Sequence, residues 1–381
     1  MDRRTFTLGL AAGLTLPLPA LSQTAPAYQG PNVILVRFGG GVRRAETIDE
    51  AATWAPYLRH VLAPRGTFIP DLRIDKLDGV NTSHAEGTLN LLTGRYLAYR
   101  DAGSEFLEDR LEPTEPTLFE YLRTAFAIPS HQALLINGED RPQEEFFTFG
   151  VADHYGIDYR SEMLSLHRYK LYRTKMQLAE SRLTDEARLT VEEERAKLLT
   201  VDPRGATPDP SPEVEAFWAR WRTGFGDDGL RNPRGDRLLT ELATRAMAEL
   251  QPRFMMVNYQ DPDYVHWGNP THYTRAIAII DEGLQRLVSA ADADPFYRDN
   301  TIFVITPDCG RDANPLTEVP FQHHFNSRTA HEVWAVIFGP GITKGTIDKP
   351  IDQSSIAPTI AAAMGFTADR AEGRAIEGMF A

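Results

Sequence analysis

Short apolar runs rich in β-branched residues alternate along this chain with longer segments in which apolar residues recur every three or four positions. The runs are strand candidates, because a strand buried on both faces reads as a continuous apolar run, and the longer segments are helix candidates. The strand candidates are 32–38, 73–77, 133–136, 254–258, 301–306 and 331–338, and the helix candidates are 48–62, 86–92, 118–126, 238–250, 273–290 and 355–364. This alternation predicts an α/β fold with a doubly wound, mostly parallel central sheet and helices on both faces.

One stretch departs from this alternation. Residues 155–232 contain long charged helical segments and a proline-rich segment at 202–212. We expect this stretch to be a helical cap or insertion within an α/β domain that spans residues 30–381. Of the 381 residues, 42% are hydrophobic, which is enough for one large core or two modest ones.

Residues 1–25 have the pattern of a targeting segment. Arg3 and Arg4 precede an apolar stretch at 8–21, and the small residues Ala20 and Ser22 suggest a cleavage site. An arginine pair ahead of a short apolar run is typical of a bacterial twin-arginine signal, and a plain secretory signal is the alternative. Both predict export to the periplasm or the medium. The run is too short and too interrupted by proline for a stable membrane span.

The charge of the chain restricts its partners. The formal net charge of −13 argues against nucleic acid and anionic lipid. A small anionic substrate stays compatible with it, because a bound divalent cation can reverse the sign locally. The chain has one cysteine, Cys309, so no intrachain disulfide can form and core packing has to hold the fold.

Polar clusters follow several of the predicted strands, at the edge of the sheet where ligands bind in such folds. They occur in a fixed order along the chain: the strand ending in three glycines at 39–41, a helix closing on Leu-Thr-Gly-Arg-Tyr at 92–96, Asp-Pro-Asp-Tyr-Val-His at 261–266, Pro-Asp-Cys-Gly-Arg at 307–311, the histidine pair at 323–324, and Ser-Ser-Ile-Ala-Pro-Thr at 354–359. Together these segments resemble the alkaline phosphatase superfamily of phosphatases, sulfatases and phosphodiesterases. The resemblance spans nearly the whole mature chain.

The resemblance implies a divalent-metal centre, with zinc as the expected ion and one or two ions bound. Asp263, His266 and His324, or His323 in its place, correspond to one metal site. Asp261 is an alternative carboxylate, because the family spaces its aspartate and histidine by four residues. Carboxylate oxygen and imidazole nitrogen are the ligands that such cations prefer.

The second metal site of the family is incomplete in this chain. Asp308 is retained, but Cys309 stands where the family has histidine, and Gly39 where it has a first-strand aspartate. Cys309 is either a substitute thiolate ligand or a small buried side chain. If the scaffold is otherwise intact, we expect Gly39→Asp with Cys309→His to rebuild this site.

The resemblance also implies a nucleophile at the start of the helix at 86–92. The spacing of the sulfatases places it at His84, and a shift of one or two residues places it at Ser83 or Thr82, each of which could instead cap the helix. Arg311 and Arg43 are candidates for binding the oxyanion of the substrate.

These observations predict an exported, metal-dependent hydrolase of small phosphate or sulfate esters. The missing ligands leave an alternative from another class, a catalytically degenerate relative that acts as a binding or envelope-assembly protein.

Overall fold

The computed structural model describes residues 25–76, 79–80, 82–101, 111–138, 147–148, 150, 155–180, 183–202, 209–229, 234–266, 269–313, 322–323 and 327–381, so nearly all of the predicted targeting segment lies outside it. In the described residues the strands are β1 (Asn32–Arg37), β2 (Thr67–Arg73), β3 (Tyr99–Asp101), β4 (Leu111–Pro113), β5 (Ala133–Ile136), β6 (Glu162–Leu164), β7 (Phe254–Asn258), β8 (Thr301–Thr306), β9 (Glu332–Phe338), β10 (Gly345–Thr346) and β11 (Ile351–Asp352). The helices are α1 (Arg44–Thr47), α2 (His84–Thr93), α3 (Leu118–Ala125), α4 (Leu166–Ala179), α5 (Asp185–Leu199), α6 (Pro212–Phe225), α7 (Asp236–Leu250), α8 (Pro270–Ala293) and α9 (Ile356–Met364).

The main sheet has the strand order β10-β2-β9-β8-β1-β7-β5-β6, and β11 also pairs with β2. Strands β8, β1, β7, β5 and β6 run parallel, whereas β9 is antiparallel to both of its neighbours. The predicted doubly wound, mostly parallel sheet is therefore confirmed. Strand β1 lies near the centre, between β8 and β7.

The two faces of the sheet bury separate sets of side chains. Along β1, Ile34 and Val36 belong to one apolar core, and Val33 and Leu35 to the other. Successive side chains of a strand lie on opposite faces, which produces this division. Helices α6, α7 and α8 cover the first core, and helices α2, α3 and α9 cover the second.

The segment predicted to be a cap contributes partly to the main body. Its strand β6 pairs in parallel with β5 and so extends the central sheet. Helix α6 buries an apolar stripe that includes Phe217, Trp218 and Trp221 in the first core, as helical spacing favours. Every residue of α5, in contrast, is at least partly exposed. Among the described residues of this segment, α5 is therefore the element that best fits a peripheral cap.

Two predicted elements near the N-terminal part of the domain differ in the structure. Of the helix expected at 48–62, only a π-helical turn at Tyr57–Leu62 forms, and the short α1 ends before this range. The strand expected at 73–77 lies earlier, as β2, and its pairing with β9 shifts register between Ile69 and Leu72. Pro70 stands in that interval and has no N–H to donate, which interrupts the pattern expected of a strand.

A separate observation concerns membranes. Among the described helices, none combines the length and the apolar composition that crossing a bilayer requires.

Candidate metal centre

Three neighbouring strands and one helix meet at the candidate site. Strands β7, β1 and β8 are adjacent and parallel, so their carboxyl ends lie at one edge of the sheet. The turn at Asp261–Tyr264 follows β7, and Asp308 follows β8. The N-terminus of α2 begins at His84, whose side chain contacts both Asp263 and Asp308.

Glycines allow these segments to approach closely. Gly40 has a φ of +85°, and a Cβ atom there would lie 2.6 Å from the backbone nitrogen of Asp263. Gly87 lies one helical turn after His84, and a Cβ atom on it would lie 2.6 Å from the backbone oxygen of Asp308. The start of α2 can therefore pack directly on the end of β8.

Three imidazole rings converge on one carboxylate oxygen. The Nε2 atoms of His84, His266 and His323 lie 2.6, 2.9 and 3.2 Å from Oδ1 of Asp263. His84 and His323 are almost fully buried, whereas the side chains of Asp263 and His266 keep 17% and 22% of their surface exposed. The cluster therefore opens to solvent on the side of Asp263 and His266.

The second nitrogen of each ring also lies beside an oxygen. His84 Nδ1 is 2.6 Å from Asp308 Oδ2, His266 Nδ1 is 3.0 Å from Gln322 Oε1, and His323 Nδ1 is 2.7 Å from the carbonyl of Thr82. The Gln322 amide is oriented by its nitrogen, which donates to the carbonyl of His266 at 3.0 Å.

The surroundings of His266 and His323 fit a cation. An amide or carbonyl oxygen only accepts hydrogen bonds, so Nδ1 of each ring carries the hydrogen and Nε2 of the neutral ring presents a lone pair. Both lone pairs face the Asp263 carboxylate, which is also only an acceptor when ionised. A positive ion between them removes this repulsion, and imidazole with carboxylate is a donor set typical of divalent cations.

Charge interactions shift the pKa values at the cluster. Burial opposes ionisation of Asp263, but in the metal-free cluster the positive charge of a protonated His84 is the main cause that outweighs it and holds the pKa of this carboxyl far below its usual value. Burial likewise opposes a charged His84, yet the carboxylates of Asp263 and Asp308 raise its pKa well above normal. Despite its burial, Asp308 has its pKa lowered to about 2, chiefly by His84, with Arg37 contributing.

Cys309 lies at the border of the cluster. Its Sγ atom is 3.9 Å from His84 Nδ1, and one donor atom from each of His84, Asp308 and Cys309 fits within 4.8 Å of the others. The side chain is fully buried in a small apolar cluster with Ile74, Val80 and Tyr96. Burial raises the pKa of the thiol to about 11, so without a metal the sulfur stays protonated.

Several residues predicted for the site take other positions. Oδ1 of Asp261 accepts the backbone N–H of Asp236 at 3.1 Å, and Asp261 belongs to neither group of possible metal ligands among the described residues. Thr82 directs its hydroxyl to the carbonyl of His323, and Ser83 caps α2 by accepting from the backbone of Glu86. His324 lies outside the described residues.

The two arginines predicted to bind an oxyanion are engaged within the protein. Arg311 is fully buried, and its guanidinium donates to the backbone carbonyls of Gly40, Gly41, Pro262 and Val265. The guanidinium thus joins the loops after β1 and β7. Arg43 makes two hydrogen bonds to Glu46, at 2.9 and 2.6 Å. These contacts indicate structural roles for both residues.

Position 39 has no space for the aspartate side chain that the family has there. A Cβ atom on Gly39 would lie 2.0 Å from the backbone oxygen of Tyr259. The expectation that Gly39→Asp would help to rebuild a second metal site was therefore wrong, and the obstacle is steric. A different cation lies nearby: Arg37 Nε is 3.9 Å from Asp308 Oδ2, with both side chains fully buried.

The sequence analysis did not anticipate Arg37 beside Asp308 or Gln322 beside His266. The signal for Arg37 was present, since it is the one charged residue in the otherwise apolar run at 32–38. Nothing local distinguished Gln322, because its contact with His266 joins segments 56 residues apart.

Comparison with known proteins supports the assignment of the fold. Residues 229–368 match the family model of the Metalloenzyme superfamily, and this segment contains Asp263, His266, Asp308 and His323. A member of such a family is expected to hold a divalent metal. No curated protein matches the chain by sequence.

Solved structures with the same fold include a protein of the alkaline phosphatase superfamily from Vibrio parahaemolyticus, at 14% identity and a TM-score of 0.55, covering 94% of this chain and 73% of that one. The alkaline phosphatase PafA has 12% identity and a TM-score of 0.55, with 93% and 100% of the two chains covered. A 2-O GAG sulfatase has 12% identity and a TM-score of 0.54, with 91% and 73% covered. Likeness at these identities is likeness of fold. The predicted resemblance to the alkaline phosphatase superfamily is thus confirmed at the level of the fold, and the match to the metalloenzyme model covers residues 229–368.

Proposed function

We propose that this protein is an exported hydrolase of phosphate or sulfate esters that depends on a divalent cation, with zinc as the preferred ion. The observation that carries the proposal is that His266 and His323 both direct Nε2 to the carboxylate of Asp263, at 2.9 and 3.2 Å, while Nδ1 of each ring faces an oxygen acceptor. The names of proteins with this fold, a phosphatase and a sulfatase, supply the class of ester.

In this proposal Asp263, His266 and His323 hold the ion. A divalent cation bound there supplies Lewis-acid polarisation of an ester oxygen and offsets the negative charge of the substrate. The exposed edges of Asp263 and His266 mark the side from which the ester enters. Because the chain carries a net charge of −13, attraction of an anionic ester depends on this local positive charge.

The nucleophile proposed at the start of α2 is restricted by the hydrogen bonds there. Thr82 uses its hydroxyl hydrogen on the carbonyl of His323, and Ser83 accepts from Glu86 N and lies 3.1 Å from Glu86 Oε2. Each hydroxyl therefore has a structural role. His84 is the candidate whose side chain reaches the centre of the cluster.

The test uses the purified mature protein, loaded with zinc and freed of unbound ion. We expect about one ion per chain by elemental analysis and hydrolysis of an aryl phosphate or an aryl sulfate. His266→Ala should lower both the metal content and the activity. The matched control is His272→Ala, which removes an exposed histidine from the first turn of α8. Metal content that is unchanged in His266→Ala would contradict the proposed centre. Metal binding without hydrolysis of either ester class would favour a binding protein instead.

A further inference from the structure

We infer that His84 is a third imidazole ligand of the same cation, and that Asp308 orients His84 instead of holding a second ion. This inference rests on the proposed metal centre and deepens it. The position that the family resemblance assigns to a nucleophile would then belong to a metal ligand.

The first argument is that the three rings share one arrangement. Each presents Nε2 to Asp263 Oδ1 within 3.2 Å, and each has Nδ1 within 3.0 Å of an oxygen atom. Histidines that bind metals usually donate the hydrogen of the other ring nitrogen to a carbonyl or a carboxylate. Asp308 has this relation to His84, as Gln322 has to His266 and the Thr82 carbonyl has to His323.

The second argument concerns how His84 is held. It is the first residue of α2, its side chain is 5% exposed, and Gly87 lets this end of the helix pack against the backbone of Asp308. Because carboxylates hold the ring of His84 from both sides, the ring has little freedom to move toward a substrate as a nucleophile would. The same rigidity suits a metal ligand.

The third argument is that the surroundings of Asp308 do not favour a second cation. Its Oδ1 accepts the N–H of Cys309 at 2.9 Å, and its Oδ2 lies 2.6 Å from His84 Nδ1. The buried guanidinium of Arg37 already brings a positive charge within 3.9 Å of the same carboxylate. A divalent ion at Asp308 would be repelled by that charge in an interior where screening is weak.

The ligands that would complete a second site are also constrained. Gly39 has no space for a carboxylate, because its Cβ position overlaps the carbonyl of Tyr259. Cys309 packs against Ile74, Val80 and Tyr96 as a small apolar side chain. The donor atoms therefore gather around Asp263: those of His84, Asp263 and His323 lie within 4.8 Å of one another, and His266 Nε2 lies 2.9 Å from Asp263 Oδ1.

X-ray absorption spectroscopy of the zinc-loaded protein tests this inference, because it counts imidazole ligands and detects sulfur without relying on activity. We expect one ion per chain, three imidazoles and no sulfur ligand. In His84→Gln, which keeps a side chain of similar length, the count should fall to two and the dissociation constant for zinc should rise. Cys309→Ser is the matched control, and it should change neither the spectrum nor the metal content.

Asp308→Asn tests the positioning role separately. The zinc dissociation constant should rise by about 10–100-fold. Three imidazoles should be retained, and the visible bands of the cobalt-substituted protein should shift because the ring of His84 becomes less basic. A purely structural effect of Asp308 would leave those bands unchanged.

The outcomes separate the inference from the proposed function. One ion with two imidazoles in the wild type would overturn the role of His84 and leave the metal centre intact. A second ion, or a sulfur ligand lost in Cys309→Ser, would overturn the role given to Asp308. Failure of the wild type to bind zinc would overturn both proposals. If His84→Gln does not fold, as judged by circular dichroism, the count of imidazoles in the wild type decides alone.

Discussion

At the scale of single residues, close backbone packing decides which side chains the site can contain. Gly39 follows β1 and faces the backbone of Tyr259, and Arg37 two positions earlier reaches the carboxylate of Asp308. The backbone that follows β7 thus occupies the space that a ligand side chain at position 39 would need. Substitution at this position acts first on folding and only then on metal binding.

We expect Gly39→Ala to lower the free energy of unfolding by about 3 kcal/mol, because its Cβ would overlap a backbone oxygen that cannot rotate away. Gly224→Ala is the control: it lies within α6, its Cβ would be 3.6 Å from Arg245, and it should stabilise the protein by up to about 1 kcal/mol. Urea denaturation followed by circular dichroism measures both. Equal stability of Gly39→Ala and the wild type would show that the two backbone segments can separate without cost.

At the scale of elements, the placement of α2 and the packing of α7 on α8 hold the site together. Helix α2 begins with a serine cap and ends at Gly94, whose φ of +65° terminates the helix. Helices α7 and α8 cover the face of the sheet beneath the Asp261–Tyr264 turn, and Glu241 of α7 links the two helices through Arg286 of α8.

We expect Ser83→Ala to destabilise the protein by about 1 kcal/mol, because one amide at the start of α2 loses its acceptor. Zinc content should stay unchanged. Thr184→Ala removes the equivalent cap from α5, and it should have a smaller effect because every residue of that helix is at least partly exposed. Thermal melting and elemental analysis measure the two effects. Loss of ester hydrolysis in a folded, zinc-loaded Ser83→Ala protein would instead identify the serine as the nucleophile.

The ion pairs of Glu241 predict a pH dependence. Burial raises the pKa of this carboxyl, but the hydrogen bonds to Arg245 and Arg286 outweigh it, so the pKa in the folded protein is lowered. The stabilisation is therefore present above the unfolded pKa and is lost as the pH falls through the folded pKa. Glu241→Gln should cost about 1 kcal/mol or less at pH 7, since solvent screens a partly exposed pair, and almost nothing at pH 2.

Urea denaturation at both pH values measures this difference. Glu282→Gln is the control, because Glu282 forms a more exposed pair with Arg237 between the same two helices. The control should change stability by a few tenths of a kcal/mol at most. A cost for Glu241→Gln that stays the same at both pH values would show that packing, and not charge, explains its contribution.

At the scale of the whole molecule, the predicted export route affects where the proposed metal centre can be loaded. A twin-arginine route carries folded proteins, so the metal could be bound before export. The predicted signal occupies residues 1–25, almost all of which precede the described domain.

Replacing Arg3 and Arg4 together with lysine should leave unprocessed, folded protein in the cytoplasm, because this route depends on the arginine pair. Cell fractionation and immunoblotting measure the processed and unprocessed forms. Arg328→Lys, at a mostly exposed arginine of the mature domain, serves as the control for a general effect of the substitution. Normal accumulation of the processed signal variant in the periplasm would indicate a plain secretory route.

The sequence by itself predicted the central strands β1, β5, β7, β8 and β9, and it showed that residues of metal-ligand type follow several of them. Continuous apolar runs and ligand-type residues after them are local patterns, and local patterns predict burial and the edge of the sheet. The tertiary structure alone decided which ligands meet. His84 lies 179 residues from Asp263 and 224 from Asp308 in the chain, yet it contacts both. The steric exclusion at Gly39 likewise depends on the distant backbone of Tyr259. Such contacts follow from sheet register and close packing, which no local pattern encodes.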